Sequence, residues 1–292
     1  MKKKIPLLFL ATIFLFLSSA SFAQDGVPST LPPTNIGNIN LVSQDFLGSA
    51  TLKGRTNYRD LRWAGWATNK VISTWADVVQ GLYESWSLPN RLFLGIKYGY
   101  FDNPLDAEQA SYKAIGPWLR SSYITLPLPG SFSGVEIGEK AFRWELSQEL
   151  SKGVVQSTTQ KDTIIISFSK GKYAAMLILG SDYAQVGSID KGFIETLAKK
   201  CETKINIAIS LDAYNEIMKG LVLQQGILRS LQVKIDNFVK NYRMGEYKTA
   251  LNNINAFSNE ITAQRGKHVS EATYQTLKAY ADAIVISLNS LM

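Results

Sequence analysis

Apolar residues recur at spacings of three and four through residues 210–292, in four separate series. The series are Tyr214, Ile217 and Leu221; then Leu228, Leu231, Ile235, Phe238 and Tyr242; then Tyr247, Leu251, Ile254, Phe257 and Ile261; and finally Leu277, Ala281, Ile284 and Leu288. Each series places its apolar side chains on one face of an α-helix. The pattern therefore predicts four helices, each with one buried stripe.

Three glycines mark the ends of these predicted helices. Gly226, Gly245 and Gly266 lie between successive series, and glycine commonly follows a helix because it accepts positive φ. Ser270 precedes the last series and can accept a hydrogen bond from a free backbone N–H group. Short connections make neighbouring helices antiparallel, so residues 210–292 are predicted to form a small antiparallel four-helix module.

Helical and strand patterns alternate in residues 39–209. Asn69–Trp86 has the apolar spacing of a helix, whereas Arg91–Phe101 alternates as a strand does. Pro104 stands in the first turn of a further predicted helix, where proline is well tolerated. A turn at Gly138 then leads into a strand predicted at about residues 141–146.

The clearest strand signal surrounds Lys170-Gly171-Lys172. Thr163–Ser169 and Tyr173–Leu179 are both largely apolar, and the three residues between them include a central glycine. Two such runs predict a β-hairpin, and their near-continuous apolar character predicts a central position in a sheet. Asp190–Ile205 is predicted to be a helix that packs over this hairpin. The predicted fold class is α+β, in which a mixed domain over residues 39–209, with an antiparallel sheet and packing helices, precedes the four-helix module.

The first residues have the pattern of an export signal. Met1-Lys-Lys-Lys is basic, Ile5–Leu17 is mostly apolar, and Ser21 and Ala23 supply small residues before a cleavage point. We therefore expect residues 1–23 to be removed and the protein to be exported, to the periplasm or out of the cell. Residues 24–38, which are rich in proline, serine, threonine and asparagine, are predicted to be a tether. After signal cleavage no transmembrane segment is predicted, because no later stretch is apolar enough.

The distribution of charge argues against a nucleic-acid partner. The whole chain has a formal net charge of +7, and residues 1–23 contain three lysines and no acidic residue. Removal of that segment leaves a net charge of about +4. The remaining lysines and arginines are scattered apart from Lys199-Lys200, whereas nucleic-acid-binding proteins usually concentrate positive charge on one face.

The C-terminal module resembles a known domain family. Leu251–Lys267, followed by Val269-Ser270 and a last apolar helix, is similar to the FIMAH domain, and so is Leu231…Lys234 upstream of the break at Gly245. The resemblance extends over about residues 211–289. Because this family is a helical module at the C-terminal end of secreted bacterial multidomain proteins, the resemblance implies an extracellular accessory module and no catalytic residues. A generic four-helix bundle with the same periodicity is the alternative.

Short motifs in residues 91–205 resemble bacterial extracellular domains of unknown function. The matching residues are Asp106-Ala107, Ile137–Phe142, Lys170–Tyr173 and Leu197–Lys199. The order strand, helix, strand, hairpin, helix that is predicted for this part of the chain is similar to the order in those domains. The resemblance implies an α+β domain with no assigned activity.

Few residues of this chain suit nucleophilic or metal chemistry. His268 is the single histidine and lies in a predicted loop beside Lys267, with no catalytic partner at a recognisable spacing. Cys201 is the single cysteine and shares a helical face with Leu197 and Ile205, which favours a buried thiol that acts as a small hydrophobe. A reactive thiol or an intermolecular disulfide is the alternative. A zinc site needs three or four ligands, which one histidine and one cysteine do not supply, so we predict no metal. We also predict no catalytic residue and no cofactor.

Carboxylate chemistry is the alternative to a non-catalytic role. Glycoside hydrolysis needs two carboxylates at a suitable separation, and a sequence does not report that separation. The acidic residues of the aromatic-rich half of the chain are Asp60, Asp77, Glu84, Asp102, Asp106 and Glu108. We expect them to be solvent-facing charges of helices and turns.

The six tryptophans all lie in residues 63–144. Trp75 and Trp86 fit the stripe of a predicted helix, so we expect them in the core. A second group of aromatic residues lies in a loop-like stretch. Core packing is the default expectation for these rings, and the alternative is an exposed surface that stacks on sugars or forms a protein interface. These candidate ligand-binding residues are Tyr58, Trp63 and Trp66.

Together these patterns favour a secreted or periplasmic bacterial protein with a non-catalytic binding or adhesion role. Its expected partner is an extracellular protein or a polysaccharide. The alternative is a carboxylate-type hydrolase that acts on an extracellular polymer. Two carboxylates that converge in an apolar cleft with perturbed pKa values would favour the enzyme, whereas an aromatic surface without them would favour binding.

Overall fold

The computed structural model describes residues 36–46, 50–58, 78–89, 92–113, 137–147, 162–181, 190–220 and 224–292. Two short 3-10 helices, Ile36–Asn38 and Ser43–Phe46, precede the sheet. The strands are β1 Thr51–Tyr58, β2 Val78–Ser87, β3 Leu92–Phe101, β4 Lys140–Ser147, β5 Asp162–Lys170 and β6 Tyr173–Ser181. The helices are α1 Pro104–Lys113, α2 Lys191–Gly220, α3 Gln225–Arg243, α4 Tyr247–Gln264 and α5 Glu271–Leu291. This arrangement confirms the predicted α+β class.

The six described strands form one antiparallel sheet in the order β1-β2-β3-β6-β5-β4. The predicted hairpin is confirmed, since β5 and β6 pair with each other and both lie inside the sheet. Lys170 pairs with Tyr173, so the loop consists of Gly171 and Lys172 and is one residue shorter than predicted. The strands predicted at residues 91–101 and 141–146 are confirmed as β3 and β4.

One predicted helix is wrong. Residues 78–87, the second half of the helix predicted at 69–86, form strand β2 between β1 and β3, and residues 69–77 lie outside the described residues. Val78 is buried as expected, but it pairs with Phe101 beyond a register shift and lies outside the core that contains Leu82 and Trp86. Leu82 and Trp86 are buried, as expected, but on one face of a strand. Their spacing of four places them on one face of either element, because side chains alternate with period two in a strand.

A buried carboxylate explains why the alternation of β2 is hard to recognise. Glu84 lies between Leu82 and Trp86 on the face that points into the core, and it is fully buried. The guanidinium group of Arg55 on β1 donates to Glu84 Oε1 at 2.6 Å and 2.8 Å. A charge with a paired partner can occupy a core position that the sequence pattern assigns to an apolar residue.

Helix α2 belongs to both parts of the chain. Ile194, Leu197 and Cys201, in its first half, pack in a core against one face of the sheet. Leu211 and Tyr214, in its second half, lie in a separate core that this half forms with α3, α4 and α5. The helix is continuous across residues 209 and 210, where the domain boundary is predicted. That boundary stays a prediction.

The four C-terminal helices pack together as predicted, with the apolar stripes inside. Gly245 and Gly266 have φ of +80° and +71° and follow α3 and α4, which is the role expected of them. The hydroxyl of Ser270 accepts the backbone N–H three residues further on and caps α5. Gly226 lies instead in the first turn of α3, and Leu221 lies outside the described residues.

The segment of residues 36–46 lies between the sheet and the helical module. Ile36–Asn38, the last three residues of the predicted tether, are buried and therefore belong to the folded unit. The ring of Phe46 lies 4.5 Å from the ring of Trp86, and the backbone N–H of Leu41 donates to the hydroxyl of Tyr98 at 3.0 Å. These contacts attach the segment to the sheet.

Asp45 attaches the same segment to the helices. Its carboxylate accepts hydrogen bonds from the Tyr247 hydroxyl (2.6 Å) and the Val42 backbone N–H (2.8 Å), and it pairs with the Lys204 ammonium group at 3.1 Å. That ammonium group lies 5.0 Å and 5.2 Å from the ring centres of Tyr242 and Tyr247. Residues 36–46, helix α2 and helices α3 and α4 therefore meet at one buried polar cluster.

A fragment of residues 207–292 is expected to fold by itself. The buried residues of its apolar core come from α2, α3, α4, α5 and the loop residue Val269 and all lie within residues 207–292, and of the partly buried residues packed against it only Val42 lies outside. Far-ultraviolet circular dichroism should show a helical spectrum and a cooperative thermal transition. A largely disordered spectrum would mean that the helices need the sheet domain, and the predicted boundary would then be wrong.

Candidate functional site

A groove with a volume of about 1130 Å³ lies between the loop end of the β5–β6 hairpin, the C-terminal part of α2 and the first turns of α3. We call it the hairpin groove. The sheet contributes two tyrosines and a lysine, and the helices contribute acidic, basic and amide side chains. These lining residues are Tyr100, Lys172, Tyr173, Asp212, Asn215, Glu216, Lys219, Gln225, Arg229 and Gln232.

The floor of the hairpin groove contains a fixed carboxylate. The hydroxyl of Tyr173 donates to Asp212 Oδ2 at 2.6 Å and so joins the start of β6 to α2. Burial raises the pKa of Asp212, while the hydrogen bond from Tyr173 and the charge of Lys172 act in the opposite direction. Burial also raises the pKa of Tyr173, so its hydroxyl stays a donor at neutral pH. The rings of Tyr100 and Tyr173 lie 5.1 Å apart.

The charges along the rim of the groove are only partly paired. Glu216 and Lys219 form an ion pair at 2.6 Å with both side chains largely exposed. Within the described part of the chain, Lys172 and Arg229 form no ion pair. Both residues are exposed, and the charge of Lys172 also acts on Asp212. The lining has three cationic and two acidic side chains.

The candidate residue Tyr58 lies at the same end of the sheet as this groove. It is the last residue of β1 and pairs with Gly81 of β2, which pairs in turn with Gly99 of β3, the neighbour of Tyr100. Two strand spacings correspond to about 10 Å between the backbones of Tyr58 and Gly99. Trp63 lies outside the described residues.

Trp66, the third candidate ligand-binding residue, also lies outside the residues that the structure describes. The same holds for Asp60 and Asp77 among the acidic residues considered for carboxylate chemistry. Asp102 is exposed, and Asp106 lies in the first turn of α1, where it donates its backbone N–H to Asn103 Oδ1 at 3.0 Å.

The remaining carboxylates of that group make structural ion pairs. Glu108 pairs with Lys140 at 3.2 Å on the surface. Burial raises the pKa of Glu84, while the ion pair with Arg55 lowers it. Neither carboxylate lines the hairpin groove, whose own carboxylates are Asp212 and Glu216.

The two residues expected to have no catalytic role occupy the environments that were predicted. His268 is exposed in the loop between α4 and α5. Cys201 is fully buried, and burial raises the pKa of its thiol, which disfavours the reactive thiolate. In the ranges that the structure describes, no group of three or more His, Cys, Asp or Glu side chains could hold a metal ion.

Lys97 is a buried ionisable side chain on the face of the sheet that α2 does not cover. Lys97 on β3 precedes Tyr98 and therefore points away from the core that α2 covers. Burial lowers the pKa of Lys97 to about 6. Since Tyr100 lies on the same face as Tyr98, Lys97 does not contribute to the hairpin groove.

Comparison with known proteins gives one domain assignment. Residues 219–285 match the FIMAH domain. The resemblance seen in the sequence of this part of the chain is therefore confirmed, and the match begins at the end of α2. No curated protein sequence matches the chain.

A solved structure with similarity to this chain is the extracellular domain of PknH from Mycobacterium tuberculosis. The similarity covers 60% of this chain and 97% of that one, with a TM-score of 0.39 and 11% sequence identity.

Among the helices that the structure describes, none is both long and apolar enough to cross a membrane.

Sequence patterns could not identify the hairpin groove. Tyr173 is read as a strand residue, and Asp212 and Glu216 are read as the polar side of a helix. Tyr173 and Asp212 are 39 positions apart and become neighbours only when the hairpin loop meets α2. A spacing of four between two acidic residues on a helix is common and indicates no particular chemistry.

Proposed function

We propose that this protein is an exported, non-catalytic binding protein whose hairpin groove holds a segment of an extracellular partner. The observation that carries the proposal is the groove itself, with its volume of about 1130 Å³. Small-molecule sites usually measure about 300–1,000 Å³. A groove of this volume, close to the upper end of that range, has room for a short length of polymer or polypeptide.

The carboxylates of the groove are arranged for holding rather than for proton transfer. One oxygen of Asp212 accepts the Tyr173 hydroxyl, so its position is fixed by a donor of the protein. Glu216 is exposed and paired with Lys219. A general acid or base needs a proton-transfer position facing the substrate, and in this groove both carboxylates already have partners within the protein.

The aromatic candidates extend the proposal. Tyr58 pairs with Gly81, which pairs with Gly99, so Tyr58 occupies a register position on the face of the sheet opposite Tyr100 and does not continue the groove. Tyr58, Trp63 and Trp66 are therefore proposed as a second, separate aromatic surface. Aromatic rings supply large contact areas with little loss of conformational entropy, which suits a binding surface.

Binding can be tested with residues 24–292 against a panel of soluble polysaccharides and secreted proteins by biolayer interferometry. We expect Tyr100→Ala to weaken binding of any recovered partner about tenfold, which corresponds to about 1.4 kcal/mol. His268→Ala is the matched control, because His268 is exposed and does not line the groove, and it should leave affinity unchanged. Equal affinity of Tyr100→Ala and His268→Ala would rule out the groove as the binding site.

The double variant Trp63→Ala with Trp66→Ala belongs in the same assay. Weaker binding with an unchanged melting temperature would assign these rings to the partner surface. Loss of folding would instead place them in the core.

A carboxylate-type hydrolase is the second candidate function, and one observation favours it. Asp212 has a raised pKa, and Glu216 lies one helical turn away in the same groove. Two carboxylates in different environments are the usual pattern of a glycosidase acid and base. Release of reducing ends from a bound polysaccharide, abolished by both Asp212→Asn and Glu216→Gln, would support the enzyme and contradict the binding role.

A further inference from the structure

The exposed rim of the hairpin groove is polar, while its apolar residues are already partly or fully packed in the cores. Ile209 and Leu228 are half-buried against the two cores, and Met218 is 9% exposed. A peptide that binds a groove by apolar anchors needs free apolar pockets. The groove offers amide, carboxylate and cationic groups beside Tyr100, whose partly buried ring also packs against the core of the sheet.

These groups match a polyhydroxylated chain. The carboxylate of Asp212 and the amides of Asn215 and Gln225 can exchange hydrogen bonds with hydroxyl groups, since they supply both acceptors and donors. The ring of Tyr100 is half-buried beside Tyr173, and a ring of this kind can stack on the apolar face of a sugar.

The charged side chains along the rim of the groove favour an acidic polysaccharide over a neutral one. Glu216 and Lys219 neutralise each other, whereas Lys172 and Arg229 have no ion-pair partner among the described residues. Arginine and lysine bind carboxylate and sulfate groups with charge-assisted hydrogen bonds.

We propose that the hairpin groove binds an acidic polysaccharide, with Lys172 and Arg229 on its carboxylate or sulfate groups and Tyr100 against a sugar ring. This inference rests on the proposed binding function of the groove. The hydroxyl groups of the same chain contact Asp212 and the amide side chains.

The test uses residues 24–292 and three immobilised probes: a galacturonate oligomer, its neutral methyl ester and sulfated dextran. We expect the galacturonate oligomer or the sulfated dextran to bind with an affinity that falls as salt rises, and the methyl ester to bind at least tenfold more weakly. The two anionic probes separate a carboxylate ligand from a sulfate ligand. Lys172→Gln and Arg229→Gln should each weaken binding about fivefold.

Lys248→Gln is the matched control, because it removes one exposed lysine from α4, away from the groove, and changes net charge equally. If Lys172→Gln and Lys248→Gln have the same effect, binding is a general charge effect and the inference is overturned. If the methyl ester binds as tightly as the acid and Tyr100→Ala still weakens it, the acidic class is overturned while the proposed binding function stands. If no glycan binds and Tyr100→Ala changes the affinity of no recovered partner, both are overturned.

Discussion

Replacing Asp45 by alanine is expected to lower the free energy of unfolding by about 3–5 kcal/mol. The carboxylate is 3% exposed and accepts hydrogen bonds from Tyr247 and from the backbone of Val42. Its removal leaves the ammonium group of Lys204, which is 1% exposed, in the interior without its counter-ion. A buried charge that loses its partner retains its desolvation cost and loses the attraction that offset it.

Urea unfolding followed by circular dichroism measures this change as a lower midpoint at an unchanged slope. The control is Asp282→Ala, which removes a carboxylate from an exposed ion pair with Lys278 on α5. That surface change should cost less than about 0.5 kcal/mol. If Asp45→Ala costs less than about 1 kcal/mol, the buried cluster does not hold residues 36–46 to the helices.

The double variant Asp45→Ala with Lys204→Met distinguishes two causes of destabilisation: loss of the ion pair and burial of an unpaired ammonium group. If the unpaired ammonium group causes most of the destabilisation, removing it as well should recover part of the stability lost in the single variant. A double variant that is less stable by the sum of the two single changes would show that the two side chains act independently.

The elements with strong local patterns could be predicted from the sequence. In the helical module glycines separate successive apolar stripes, and the structure confirms the stripes and the positive φ of Gly245 and Gly266, whereas Gly226 lies inside α3. The β5–β6 hairpin is likewise local, because its two strands are neighbours in the sequence and Gly171 lies between them. Patterns of this kind depend on periodicity and turn chemistry alone.

The features that depend on distant contacts could not be predicted. Strand β2 resembles a helix because Glu84 interrupts its apolar face, and the reason for Glu84 is Arg55 on another strand. The partner of Asp45 lies on α2, far along the chain, so the sequence gives no reason to expect a lysine in the interior at position 204. The hairpin groove likewise forms where a hairpin loop meets two helices.

Replacing Phe168 by alanine tests the central position of the hairpin. Phe168 is fully buried in β5 and lies opposite Ala141 of β4 and Ala175 of β6. Because both cross-strand neighbours are small, the aromatic ring fills space that they cannot fill, and its removal leaves a cavity against the first half of α2. Loss of the buried ring and creation of the cavity should together lower the free energy of unfolding by about 3–5 kcal/mol.

The measurement is again the urea midpoint, with Val233→Ala as the control for a truncated apolar side chain that is 48% exposed on α3. That control should change stability by less than about 0.5 kcal/mol, since little apolar surface is buried there. A change of the same size in Phe168→Ala would place β5 at a surface and contradict the sheet order. A large change in Phe168→Ala with unchanged helical content would locate the damage in the core between the sheet and α2, because the helical module has a core of its own.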